Sequence, residues 1–298
     1  MSNIVSIQNL SKSYGAIQAL KGVSFDVPEG SVYGVLGPNG SGKTTLLGIL
    51  LNVLLADAGT YSWFGGMPPD DARRQIGALL ETPNFYQYMS AYDNLEITAS
   101  IRGRGSDARD SVLQQVGLYE RRHSKFQEFS LGMKQRLAIG AALLGNPKVL
   151  VLDEPTNGLD PAGIAEIRQL IRTLSGQGIT VIIASHLLDE VEKVCTHVAI
   201  LKQGSLLLHG PVDEVLRQED WIELRSADMA ALQQALLTLP GTVAPSFRIV
   251  DGILQLTGTQ GITPAMVNEH CMQQGVVLTH LVLRKKSLET RFMELINK

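Results

Sequence analysis

The sequence predicts an α/β fold followed by a smaller α+β domain, and three stretches carry that expectation. An apolar run, Val32 to Leu36, enters the glycine-rich loop Gly37-Pro-Asn-Gly-Ser-Gly-Lys-Thr-Thr45 and leaves it as a second apolar run from Leu46 to Leu51. That is a strand, a turn and a helix. A four-residue apolar run, Val149 to Leu152, ends in Asp153-Glu154, as a strand buried in a parallel sheet does before its turn. From about Asp220 the rhythm changes to short strands and helices around Asp251-Gly252, a strong hairpin signal.

Taken in order, Ile4 to Leu10 and Val23 to Val27 alternate apolar and polar residues, as half-buried strands do. Between them lies Ser11-Lys-Ser-Tyr14-Gly15, where Tyr14 is either plain surface or a flat face for a base. The loop then meets the pattern G-x-x-x-x-G-K-[ST] at Gly37, Gly42, Lys43 and Thr44. Glycines let backbone N–H groups crowd around phosphate oxygens without a Cβ in the way. The helix that begins near Lys43 points its positive end at the anion. Lys43 supplies a full charge for the β- and γ-phosphates, and the Thr44 hydroxyl can ligate Mg²⁺.

Leu46 to Ala56 reads as the buried helix after the loop. Ala58-Gly59-Thr60 and Gly65-Gly66 bracket a short strand with Trp63 and Phe64, and Ile76 to Leu80 is another strand, ending at Glu81. Thr82 to Met89 holds Pro83, Phe85, Tyr86 and Tyr88, in a chain with only 5% aromatic residues. This is either a core cluster or an exposed groove for a partner helix. Asp93 to Leu144 reads as helices. Ser130 is a good N-cap, and Leu137 to Leu144 is helical, so a second helix N-terminus is available for phosphate oxygens.

Asp153 and Glu154 sit where ligands bind in open α/β sheets. Asp153 can hold Mg²⁺, and Glu154 can polarise a water aimed at the γ-phosphate. Asn157-Gly-Leu-Asp160-Pro161 is a turn before the helix Ala162 to Leu174. Thr180 to Ala184 is a third apolar strand, ending in Ser185-His186. A histidine at that end, beside two strands that end in phosphate chemistry, is expected to take part. The helix Leu188 to Val194, the strands Val198 to Leu201 and Ser205 to Leu208, and the helix Val212 to Leu216 complete the first domain. Beyond the polar stretch Arg217 to Asp220, the order of strands and helices is βαββαβ, with a last helix from Ser287 to Ile296, which suggests a split-βαβ domain.

The bulk properties narrow the field. With 44% hydrophobic and 18% charged residues the composition is ordinary for a soluble globular protein. A net charge of −3 leaves no basic footprint for nucleic acid. Cys195 and Cys271 lie far apart without metal spacing and read as reduced, buried residues of a cytosolic protein. Met1 to Leu10 lacks the positive start of a signal peptide. No window reaches the roughly 18 apolar residues of a spanning helix, so any work at a membrane needs another chain to hold this one there.

Together these residues resemble the nucleotide-binding subunit of ATP-binding-cassette (ABC) transporters, over roughly residues 3 to 216. Gly37 to Thr45 is similar to the Walker A loop and Val149 to Glu154 to Walker B, with Glu154 in the catalytic glutamate position. Ser130 to Met133 resembles the signature helix start, Asn157 to Asp160 the D-loop, His186 the switch histidine, and Tyr14 the adenine-stacking aromatic. Two departures stand out. The family's usual Leu-Ser-Gly-Gly-Gln is Phe129-Ser130-Leu131-Gly132-Met133 here, and Glu81 stands where the family usually has Gln. Both are similar to a bacterial exporter branch that includes bacitracin-resistance and other drug-efflux ATPases. Ser287-Leu288-Glu289 and Phe292-Met-Glu294-Leu295 also look like that branch.

The resemblance implies a P-loop NTPase with a RecA-like core, an antiparallel β subdomain and a helical subdomain at about residues 84 to 145, the whole spanning 1 to 216. An accessory domain would span 220 to 298. It implies ATP and Mg²⁺. Tyr14, Gly37, Pro38, Asn39, Gly40, Ser41, Gly42, Lys43, Thr44 and Thr45 would bind nucleotide from one side, and Ser130, Gly132 and Met133 of the signature helix from a second copy packed head to tail, with Asp160 of the D-loop a further nucleotide-binding residue. Lys43, Glu154 and His186 would be catalytic, with Thr44, Asp153 and Glu81 around the metal. The partners implied are a second copy and polytopic permease subunits at the cytoplasmic face of the inner membrane, and no nucleic acid. The alternative is the ATPase of an importer or of a non-transport ABC membrane complex.

Overall fold

The computed structural model describes residues 2–80, 84–217, 221–240, 246–257 and 262–284. The chain divides into two compact units after Pro211. The first opens with β1 (Asn3–Tyr14), β2 (Ile17–Pro28), β3 (Val32–Leu36), α1 (Lys43–Leu50), β4 (Ala58–Trp63), α2 (Pro69–Arg74) and β5 (Ile76–Leu79). The helices α3 (Ala91–Arg102), α4 (Arg109–Gln115) and α5 (Leu131–Leu143) follow. Next come β6 (Val149–Asp153), α6 (Pro161–Gly176), β7 (Thr180–Ser185), α7 (Leu188–Glu192), β8 (His197–Lys202) and β9 (Ser205–Pro211).

A three-stranded antiparallel sheet has the order β2-β1-β4, and a six-stranded sheet the order β5-β6-β7-β3-β8-β9. Its first five strands are parallel and β9 is antiparallel. Every residue of β3, β6 and β7 is buried, which is why their sequences are apolar runs rather than alternations. Register places the functional ends side by side. Leu36 pairs with Ser185, and Asp153 with Ala184. The glycine-rich loop, the acid pair and His186 therefore leave the sheet together, at the C-terminal ends of adjacent strands.

Several boundaries differ from the sequence expectation. The first two strands run on through Tyr14 and Pro28 as a long hairpin. α1 stops at Leu50 instead of continuing to Ala56, because Asn52 turns left-handed at φ 57°. The amides of Val53 and Leu54 then both fold back onto the Gly48 carbonyl, and Val53 and Leu55 stand in solvent. α5 begins at Leu131, immediately after its Ser130 cap, rather than at Leu137. The short α2 was not expected, although Pro69, Asp70 and Asp71 in its first turn and Arg73 and Arg74 in its last are ordinary helix signals.

Tyr33 of β3 is stacked between Phe25 and His197, at ring separations of 5.3 and 6.1 Å. Burial, with Asp26 adding to it, pushes its phenol well above the usual range. The hydroxyl has no hydrogen-bond partner among the described residues. Tyr33→Phe should therefore leave stability unchanged or raise it by about 1 kcal/mol, since a buried unpaired polar group costs roughly 1–3 kcal/mol. Denaturant titration checks this.

The second unit begins with α8 (Val212–Arg217). The division thus falls where β9 ends its pairing with β8, at Pro211 opposite His197, and not in 217–220. It continues with β10 (Trp221–Ser226), α9 (Met229–Leu237), β11 (Ser246–Val250), β12 (Ile253–Thr257), α10 (Pro264–Gln273) and β13 (Leu278–Arg284). The strands form an antiparallel sheet in the order β11-β12-β10-β13. Asp251 and Gly252, at φ 51° and 74°, make the two-residue turn that matches strand twist. Ile222, Leu224, Leu254 and Leu256 pack against Leu232, Leu236, Val267 and Cys271. The expected last helix and Glu81 lie outside the described residues. Both cysteines are free and buried, and burial pushes the Cys195 thiol far up. Among the described residues no helix is long and apolar enough to cross a membrane.

Candidate functional site

The loop after β3 is a tight cradle. A Cβ on Gly37 would lie 2.4 Å from the Leu201 carbonyl, and one on Gly42 2.4 Å from the Ala19 carbonyl. Gly42 also sits at φ 105°, where an L side chain is strained. The Ser41 amide donates to Pro38 O at 3.1 Å, and Ser41 O accepts from the Gly204 amide at 3.0 Å. Ser41 is buried, while Pro38, Asn39, Gly40 and Thr44 are open to solvent and Thr45 is half-buried. Lys43 is only 6% exposed. Its ammonium donates to Gly37 O at 2.8 Å and Pro38 O at 3.3 Å, and lies 3.4 Å from Glu154 Oε1.

Three strand ends converge on Glu154. Its amide donates to Ala184 O of β7 at 2.9 Å, and its φ of 48° is positive. Such a backbone costs roughly 1–3 kcal/mol in a non-glycine residue and persists only when its surroundings hold it. They do: Oε1 faces Lys43, and Oε2 meets His186 Nδ1 at 2.9 Å. A carboxylate fixed between an ammonium and an imidazole, with 22% of its side chain still exposed, can reach a water.

Beside it the Thr44 hydroxyl donates to Asp153 Oδ2 at 2.8 Å. A hydroxyl and a carboxylate are hard oxygen donors. Among the described residues no group of three or more His, Cys, Asp or Glu could hold a metal. A cation here would have few protein ligands and take the rest from water and phosphate, the habit of Mg²⁺. The residues present fit that ion.

A second cluster forms at two helix starts. Ser130 caps α5, its Oγ accepting from the Met133 amide at 3.3 Å. Asp160 caps α6, its Oδ1 accepting from the Gly163 amide at 2.9 Å. A Cβ on Gly132 would lie 3.9 Å from Gly163 Cα, so these first turns touch. Lys43, Thr44, Asp153, Glu154 and His186 thus gather into one cluster, and Ser130, Gly132, Met133 and Asp160 into another. Tyr14 ends β1 with 47% exposure, on the hairpin whose Ala19 abuts the loop.

The aromatic segment divides its roles. Phe85 packs edge-on against Phe126 at 5.1 Å. Tyr86 and Tyr88 are exposed, at 52% and 69%. Asn94 of α3 is buried and holds the segment, accepting from the Tyr86 amide at 2.8 Å and donating to Tyr86 O at 3.1 Å. Phe85, Tyr86, Asn94 and Ile97 line a cavity of about 330 Å³. The sequence reading missed Asn94. Its signal was an asparagine among the apolar positions of a helix, where a side-chain amide needs partners.

A family profile described as "ABC transporter" matches residues 20–157. A bacitracin transport ATP-binding protein of Bacillus licheniformis is 36% identical over 306 residues, covering 99% of this chain and 98% of that protein. A lantibiotic transport ATP-binding protein of Streptococcus pyogenes is 39% identical over 210 residues, 70% of this chain and 92% of that one. Among solved structures, the dimeric post-hydrolysis state of an ATP-binding cassette bound to ADP and phosphate is similar, with a TM-score of 0.62 and 28% identity. It covers 70% of this chain and 98% of that chain.

Proposed function

Because the chain belongs to the ABC transporter family, as an ATP-binding and ATP-hydrolysing cassette of P-loop α/β fold, we propose that it powers a membrane exporter by ATP-driven head-to-tail dimerisation. The observation that carries this is Glu154, fixed between Lys43 and His186 beside the Thr44–Asp153 pair. The backbone of residues 37 to 45 holds the phosphates, with Lys43 turning its charge from the loop carbonyls to them. Tyr14 stacks on the base. Glu154 orients a water and accepts its proton, and His186 contacts the γ-phosphate. Mg²⁺, when bound, rests with Thr44 and Asp153 and supplies positive charge for the phosphates. Glu81 is a further candidate at that metal.

The second cluster completes the site in another copy. Ser130, Gly132 and Met133 at the start of α5, with Asp160, meet the partner's nucleotide, so that the γ-phosphate bridges two chains and its loss parts them. That a related cassette is dimeric with ADP and phosphate bound supports the pairing of two copies. The relatives named for bacitracin and lantibiotic transport support drug efflux over import, since a cell exposed to an antibiotic gains by removing it.

The load lies on polytopic permease subunits at the cytoplasmic face of the inner membrane, where this chain is peripheral. Tyr86 and Tyr88, beside the cavity on α3, form a surface for a permease helix. With a net charge of −3, nucleic acid is not a partner. The test is co-purification from detergent-solubilised membranes. A polytopic membrane chain should accompany the wild type and be lost from a Tyr86→Ser, Tyr88→Ser double variant that still hydrolyses ATP alone. Ribosomes or DNA in its place would contradict the reading.

A further inference from the structure

We propose that Arg102 is a positioning residue, setting the angle at which α5 presents Ser130; this rests on the head-to-tail reading above. Arg102 is the last residue of α3, and its side chain crosses to the other end of α5. Its Nη1 donates to Ala142 O and Leu144 O, each at 3.2 Å. These are carbonyls of a helix C-terminus, where the fourth-residue partner is missing and a cation is favoured. The backbone of β5 also packs closely on the Ala142 carbonyl. A Cβ on Gly77 of β5 would lie 2.1 Å from it, so strand backbone and guanidinium close on one oxygen.

Next to this grip, Arg104 lies on Gly145, whose added Cβ would come 2.7 Å from Arg104 Nε, and bonds the Arg74 carbonyl at the end of α2. The turn that follows α5 leads directly into β6 and its Asp153. Two arginines of one short segment thus pin the junction between the helical subdomain and the sheet.

The leverage is geometric. Thirteen residues make α5 about 20 Å long at ~1.5 Å per residue. A tilt of about 5° at the pinned end would move Ser130 by roughly 1.7 Å. The usable range of a hydrogen bond is only about 0.5 Å. A loose pivot therefore removes Ser130 and Gly132 from a partner's phosphate without touching the nucleotide cluster itself. At the far end of α3, Asn94 fixes Tyr86. The helix is thereby a strut with Tyr86 at one end and the α5 pivot at the other.

The experiment compares Arg102→Met, which keeps the stem without the donors, with Arg102→Lys, which keeps a charged donor. We expect the Met variant to lose at least fivefold in kcat with KM for ATP within twofold, and Lys to recover half or more. Nitroxide labels at Leu131→Cys and Ile17→Cys, both exposed, report the angle of α5 by pulsed EPR without nucleotide. The distance distribution should be narrow in wild type, narrow in Lys and broad in Met. A wild-type distribution in the Met variant overturns the proposal, as does a kcat that falls only in step with melting temperature. Arg102→Gln, a polar side chain whose amide stops two bonds short of Nη1, carries the same comparison should Met not fold. A wild type that does not turn over ATP would sink the functional reading instead, and the distance measurement would still decide this one.

Discussion

Glu154→Gln lowers kcat for ATP hydrolysis by about 10²–10⁴-fold, the usual contribution of a positioned general base, and leaves ATP affinity within a few-fold. The amide has the size of the carboxylate, so its oxygen can still face Lys43 while its NH2 donates to His186 Nδ1 in the tautomer that accepts there. What disappears is the negative charge and the ability to take a proton from water. The backbone of residue 154 stays in place, because its amide is bonded to Ala184 O at the end of β7. Phosphate release measured beside fluorescent-nucleotide binding separates the two effects. Turnover within tenfold of wild type would move the base elsewhere, with His186 the next residue to test.

Lys43→Ala acts on binding first. The ammonium is nearly buried and bonds two loop carbonyls and Glu154. A hydrogen bond to a charged group contributes roughly 1.5–3 kcal/mol, which is about tenfold to a hundredfold in ATP affinity for each phosphate oxygen the ammonium would have met. The substitution also leaves Glu154 without its cation and the Gly37 and Pro38 carbonyls without their donor. Calorimetric titration with ATP should show the weaker binding. An unchanged dissociation constant would mean that the loop amides alone hold the phosphates.

The phosphate loop and the acid pair were legible because each ends an apolar run, so chemistry and secondary structure change at the same residue. The neighbours of those strands were not legible. That β7 lies between β3 and β6 is a property of the sheet, and it is what brings His186 against Glu154. The positive φ of Glu154 left no trace in residue type. α1 was read too long because Val53 and Leu55 are apolar although exposed. Asn52 was the stop signal, since asparagine tolerates the left-handed region. α2 was passed over at only six residues. Asn94 and Arg102 escaped for a shared reason. Polar residues on a helix read as its solvated side until packing shows which carbonyls they answer.

The central claim is that one chain holds two half-sites that only a second copy completes. Light scattering on the purified Glu154→Gln variant tests it most directly. With saturating ATP and Mg²⁺ the particle should have twice the monomer mass, and with ADP it should return to the monomer. A Glu154→Gln chain that stays monomeric with ATP bound, or pairs equally well with ADP, would contradict the account.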